Sequence, residues 1–148
     1  MQEHQDLCGL LDALTLDVPH PLSNLSNAAA LLWQELEDIN WAGFYLLEKD
    51  VLVLGPFQGK PACIEIPVGK GVCGTAVLED RTLTVADVHA FPGHIACDAA
   101  SASEIVVPLR KNGAVVGVLD IDSPTPGRFT EADRTALEAF AALLSGRI

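Results

Sequence analysis

EIVVPLRKNGAVVGVLDIDSP, Glu104 to Pro124, decides the fold class. Two apolar runs flank Asn112-Gly113, a dipeptide that readily takes the positive φ values of a tight hairpin turn. Working outward, WAGFYLL (Trp41 to Leu47) and VLVLGPF (Val51 to Phe57) flank the polar EKD and predict a second hairpin. ACIEIPV reads as a further strand, with Ile64 and Ile66 on one face and Glu65 on the other. GKGVCGTAVLED is a glycine-rich turn opening a short helix, and TLTVADV is another strand. HAFPGHIACDAASAS then forms a long connection of small and turn-forming residues.

Two helical patterns come first, and a third closes the chain. Leu7, Leu10, Leu11 and Leu14 recur at helical spacing before Pro19 and Pro21 break the chain. Asn24 or Ser26 is the expected cap of a second helix, with Ala29, Leu32, Trp33 and Leu36 as its apolar stripe. A last helix starts at Thr130 with Glu131 and Asp133 near its N-terminus, and buries Leu137, Phe140, Ala141 and Leu144. The expectation is an α+β domain with a central, mainly antiparallel sheet and flanking helices. Its N-terminal helices occupy about 3–37, the sheet and its loops about 41–123, and the closing helix about 130–145. With no repeat and no linker, a single domain over 1–148 is expected.

Composition narrows the function classes. A hydrophobic content of 49% over 148 residues is that of a globular core rather than a disordered chain. Nine Lys+Arg against 20 Asp+Glu leave a net charge of -11, which repels phosphate backbones and anionic lipid surfaces. Nucleic-acid and membrane partners are therefore not expected. The start, MQEHQDLCGLLDAL, has neither the basic nor the apolar region of a signal peptide, so the expected address is the cytosol. Static disulfides are disfavoured in that compartment, and cysteines that pair there do so transiently.

Four cysteines are present, Cys8, Cys63, Cys73 and Cys97, with no C-x-x-C spacing. Cys97 leads as a reactive thiol because its loop of small residues offers access, set against the usual fate of a free cysteine as small buried packing. Cys63 and Cys73 are the candidate partners of a two-thiol cycle in which a sulfenic acid condenses to a disulfide. The plainer alternatives are an ordinary strand residue for Cys63 and helix-start packing for Cys73. Cys8, on an amphipathic helix, is read as structural. His94-x-x-Cys97, with His89 and a folded-in cysteine, is a rival zinc set, but the spacing fits no zinc module and no metal is assigned.

Glu104, Asp120 and Asp122 form a second constellation. Residues two apart on a strand share a face, so the two aspartates point the same way, and the hairpin returns Glu104 to that end of the sheet. Carboxylates clustered among apolar residues repel one another, and at least one has a raised pKa. A protonated acid can then donate to a leaving oxygen while an ionised one holds an ammonium. The alternative is a solvated strand end. Trp41 and Tyr45, at i and i+4 of one strand, also share a face and wall either a small alkyl pocket or the core. Gly69-Lys70-Gly71 is read as a turn rather than a phosphate loop.

GKGVCGTA (Gly69 to Ala76), DVHAFPGHIACDAASASEIVVP (Asp87 to Pro108) and GVLDIDSP (Gly117 to Pro124), with QGKPAC and NWAGFYLL, closely resemble the free methionine-(R)-sulfoxide reductases, which are small stand-alone GAF-domain enzymes. The resemblance implies a GAF-like fold and the reduction of free L-methionine-(R)-sulfoxide to L-methionine. It implies Cys97 as nucleophile, Cys63 as the usual resolving cysteine and Cys73 as a third cysteine that exchanges or assists. Trp41 and Tyr45 would line the methyl and thioether pocket. Glu104, Asp120 and Asp122 would bind the amino acid and activate the sulfoxide, with Glu104 or Asp122 the proton donor. No cofactor is implied. The implied partners are the free sulfoxide and thioredoxin or a similar dithiol reductant, with a homodimer in keeping with the family. A non-catalytic GAF module that binds a small ligand or senses redox state is the alternative.

Overall fold

The expected hairpins are both present in the computed structural model, which describes residues 6–94 and 99–148. In chain order the helices are α1 (Leu7–Thr15), α2 (Pro21–Glu35), α3 (Gly71–Glu79) and α4 (Glu131–Ser145). The strands are β1 (Trp41–Glu48), β2 (Val51–Gly59), β3 (Glu65–Pro67), β4 (Leu83–Val85), β5 (Ser103–Lys111) and β6 (Ala114–Ser123). Lys111 pairs with Ala114 across Asn112 (φ 55°) and Gly113 (φ 81°), so two left-handed residues close the β5–β6 hairpin. Glu48 pairs with Val51 across Lys49-Asp50, where Lys49 alone is left-handed, at φ 60°.

The six strands form one sheet in the order β3-β2-β1-β6-β5-β4, antiparallel at every pairing. Alternate residues separate two apolar layers. Ala42, Phe44, Ile105, Val107, Leu119 and Ile121 face α1, α2 and α4, where Leu11, Leu32, Leu137 and Phe140 complete the main core. Trp41, Tyr45, Val106 and Val118 face the other way, toward Ile66 and the α3 residues Val72, Cys73 and Ala76. Each fully buried aliphatic or aromatic side chain contributes about 1.5–3 kcal/mol relative to exposure. α4 is held at its start by a reciprocal cap, in which Thr130 accepts from the Asp133 N–H and the Asp133 carboxylate accepts from the Thr130 N–H.

Four details depart from the sequence expectation. In α1 only Leu7 and Leu11 of the four leucines are buried, whereas Leu10 and Leu14 are 39% and 42% exposed. The helix packs along a single i, i+4 line, and neither neighbouring helix covers its flank. In α2, Trp33 lies at the edge of the stripe and is 41% exposed, while Ala29, Leu32 and Leu36 are buried. Neither Asn24 nor Ser26 caps α2, which starts at Pro21, a residue suited to the first helical position because it has no N–H to satisfy. Asn24 is buried instead, and its Nδ2 donates to the carbonyls of Val18 and Arg147. Finally, β3 starts at Glu65, so alternation does not extend back to Ile64, which is 70% exposed while Ile66 points inward. Among the described residues no helix is long and apolar enough to cross a membrane.

Candidate active site

The pairing registers bring the three carboxylates and the aromatic pair onto one patch of the sheet. Across β5, β6 and β1, Glu104 stands opposite Asp122 and Asp122 opposite Trp41. In the adjacent row on the same face, Val106, Asp120 and Gly43 align. Gly43 is required there, because a Cβ at that position would lie 2.2 Å from Phe57 Cβ, where β1 and β2 approach closely at a bulge. The patch is the floor of a cleft walled by Trp41 and Tyr45, by Ile66, by the first turn of α3 (Gly71, Val72, Cys73), and by His94 and Ser101.

Two chemistries meet in this cleft. Trp41 stacks on Tyr45 with ring centroids 5.9 Å apart, and on Phe57 at 5.1 Å. Both polar tips of this aromatic wall are engaged. Trp41 Nε1 donates to the Lys60 carbonyl at 3.1 Å, and Tyr45 Oη donates to the Cys63 carbonyl at 2.9 Å. The aromatic pair thus braces the 60–63 segment that carries Cys63. Burial, and after it the charge on Asp120, push the Tyr45 hydroxyl pKa up, so it remains a donor.

Beside this wall, ligand atoms of Cys73, Glu104 and Asp120 lie within 4.8 Å of one another, and all three residues are buried. Burial raises Glu104 well above its ordinary value of 4.5, and the neighbouring Asp120 and Asp122 charges add to it. Burial also raises Asp120, but hydrogen bonds from Glu104, Cys73 and Asp122 oppose the shift. Of the two, Glu104 is the more strongly raised and so the group that more readily keeps a proton. Burial raises the Cys73 thiol well above 9.0, with Asp120 and Glu104 the next causes, so it is a neutral thiol rather than a ready nucleophile. Asp120 Oδ1 is buried with no hydrogen-bond partner. Burial lowers the His94 pKa, favouring the uncharged ring.

Cys63 is half-buried and disulfide-bonded, whereas Cys8 and Cys73 are free thiols. Cys8 packs against the main core on the opposite side of the sheet. Cys97 lies outside the described residues. Of the histidines of the rival zinc set, His89 is exposed and paired with Asp87 at 3.1 Å, and His94 lines the cleft. Gly69-Lys70-Gly71 forms a turn, with the Lys70 N–H bonded to the Pro67 carbonyl. Sequence reasoning missed Phe57 and Ser101. Phe57 follows a proline at a strand end, which masks its stacking role. Ser101 sits among small residues that look alike as a string, yet its Oγ accepts from Asn40 Nδ2 at 3.2 Å beside the carboxylates.

Comparison with known proteins agrees with this architecture. The GAF domain family matches residues 6–148. The free methionine-R-sulfoxide reductase of Escherichia coli is 61% identical over 123 residues, covering 83% of this chain and 74% of that protein. The solved structure of reduced fRMsr from Staphylococcus aureus superposes with a TM-score of 0.94 at 54% identity, covering 97% of this chain and 94% of that one. The X-ray structure of the Neisseria meningitidis free methionine-R-sulfoxide reductase with its substrate gives the same TM-score, 0.94, at 42% identity, covering 97% of this chain and 87% of that one. The chain belongs to the GAF-domain family and, within it, to the free methionine-R-sulfoxide reductases.

Proposed function

We propose that this chain reduces free L-methionine-(R)-sulfoxide to L-methionine through a cysteine sulfenic acid and a disulfide, and that thioredoxin or a similar dithiol resets it. The observation that carries the reading is the cleft itself, with a stacked aromatic wall beside buried carboxylates. A methyl thioether suits the aromatic wall and an ammonium the carboxylates. A methionine within a peptide has no α-ammonium, so a site built around that charge selects the free amino acid.

In the proposed cycle the Cys97 thiolate attacks the sulfoxide sulfur while Glu104 gives its proton to the sulfoxide oxygen. The raised Glu104 pKa supports that role, because the acid must arrive protonated. Asp120, whose Oδ1 has no partner, and Asp122 hold the ammonium. The S–O bond breaks as the oxygen passes to Cys97, methionine leaves, and Cys97 becomes a sulfenic acid. The Cys63 thiol condenses with it, releasing water and forming a disulfide that the external dithiol reduces by exchange. The bonded state of Cys63 beside two free thiols supports this pairing, as does the bracing of its carbonyl by Tyr45. The deeply buried Cys73, whose pKa is raised, suits an assisting role better than a resolving one.

The test supplies free methionine-(R)-sulfoxide with a dithiol reductant and measures methionine. Turnover by the wild type is expected, with none from Cys97→Ser. Cys63→Ser should release one equivalent and then stall with thioredoxin as sole reductant. Absence of wild-type turnover, or equal reduction of peptide-bound methionine sulfoxide, would defeat the reading.

A further inference from the structure

Cys73 is not consumed by the two-thiol cycle, yet it is a free thiol buried in the same cleft. Its Sγ and one oxygen each of Glu104 and Asp120 lie within 4.8 Å of one another. Zinc binds thiolate sulfur at about 2.3 Å and carboxylate oxygen at about 2.0–2.2 Å, usually with four ligands in a tetrahedron. Donors on one tetrahedral zinc at these bond lengths stand roughly 3.3–3.8 Å apart, a spacing the cluster within 4.8 Å approaches. A second observation also calls for a cation. Asp120 is only 6% exposed, and its Oδ1 is buried with no hydrogen-bond partner. Among the described residues lining the cleft there is no Lys or Arg, and His94 is the only basic group.

We propose that Cys73, Glu104 and Asp120 form a divalent-cation site that takes Zn2+ and, when filled, closes the amino-acid pocket. The donor set selects the ion, since Mg2+ and Ca2+ favour all-oxygen shells whereas a thiolate with carboxylates suits zinc. Binding itself stands independently of the proposed reduction, and only its inhibitory consequence rests on that reading. A zinc ion here occupies the carboxylate offered to the substrate ammonium and engages the proton-donating Glu104, so it competes with free methionine sulfoxide. Because Cys73 is free while Cys63 is disulfide-bonded, the site is available in the oxidised protein.

The test uses the full-length oxidised protein, with Co2+ as the spectroscopic probe and Zn2+ measured by competition with a chromophoric chelator. One equivalent per chain is expected, with a thiolate-to-cobalt charge-transfer band. Cys73→Ser should remove the band and weaken Zn2+ binding by at least about 10-fold, the lower end of what even an outer-shell partner is worth. Asp120→Asn should weaken binding while keeping the band, and Cys8→Ser should change neither. Thermal melts confirm that each variant is folded. No band in the wild type, a band surviving in Cys73→Ser, or a band lost in Cys8→Ser would overturn the proposal. Zinc binding without any sulfoxide turnover would defeat the reductase reading and leave the site standing, whereas turnover without zinc binding would do the reverse.

Discussion

The two faces of the β5–β6 hairpin are made by neighbouring residues and behave as two materials. Ile105, Leu119 and Ile121 are fully buried in a dry layer against α1, α2 and α4. One residue away along the same strands, Glu104, Asp120 and Asp122 floor the cleft, with the first two at 7% and 6% exposure. One face spends its burial on cohesion. The other buries carboxylates and a thiol, which costs stability and raises their pKa values. The alternation of a strand permits both without conflict, because a rigid apolar face holds the acidic one in register.

The largest expected contrast comes from substituting each face separately. Glu104→Gln should lower kcat by about 10²–10⁴-fold, the usual worth of a general acid, while leaving thermal stability unchanged or improved. Steady-state kinetics beside a melting curve checks both halves. On the dry face, Ile121→Ala should cost about 2–5 kcal/mol in a denaturant titration. Because the floor of the cleft shares its strand, activity should fall only as the protein unfolds. A loss of activity from Ile121→Ala in a fully folded sample would mean that the two faces are coupled.

pH separates the faces in another way. Glu104 holds its proton in the folded state to a higher pH than in the unfolded chain, where its value is near 4.5. The native state then binds more protons than the unfolded state through that window. Stability should therefore fall as pH rises from the ordinary carboxylate range up through the raised Glu104 value. Glu104→Gln should flatten this slope, and in the wild type kcat should decline above the same raised value. A slope unchanged by the substitution would assign it to other groups.

The smallest effect concerns the aromatic wall. Tyr45→Phe keeps the ring stacked on Trp41 but removes the hydrogen bond to the Cys63 carbonyl. A stability loss of about 0.5–1.5 kcal/mol is expected. The first equivalent of methionine should appear at nearly the wild-type rate, whereas thioredoxin-driven cycling should slow. Equal slowing of both phases would show that the hydroxyl serves substrate rather than the Cys63 segment.

Much of this was legible in the chain, for reasons of range. The Asn112-Gly113 turn, the start of α4 at Thr130 with its acidic first turn and the shared face of Asp120 and Asp122 each depend on residues within a few positions, where backbone preference and strand alternation act directly. The site motifs were readable through resemblance, since NWAGFYLL, GKGVCGTA and GVLDIDSP each stand as continuous strings. Which leucines of α1 are covered was not legible, because periodicity marks an apolar side without saying how wide a neighbour lies against it. Asn24 looked like a cap because its partner carbonyl, that of Arg147, is at the other end of the chain.

By itself, then, the sequence determined the element types, the two hairpins, the α+β class and the family to which the residues belong. Only the tertiary structure decided that Cys73 meets Glu104 and Asp120, that Tyr45 holds the Cys63 carbonyl, and that Asp120 Oδ1 is left without a partner. Local propensity acts over a turn or a strand pair. The meeting of a helix start with two strands depends on register and on how α3 packs across the sheet, and the burial that shifts each pKa exists only once that packing is complete.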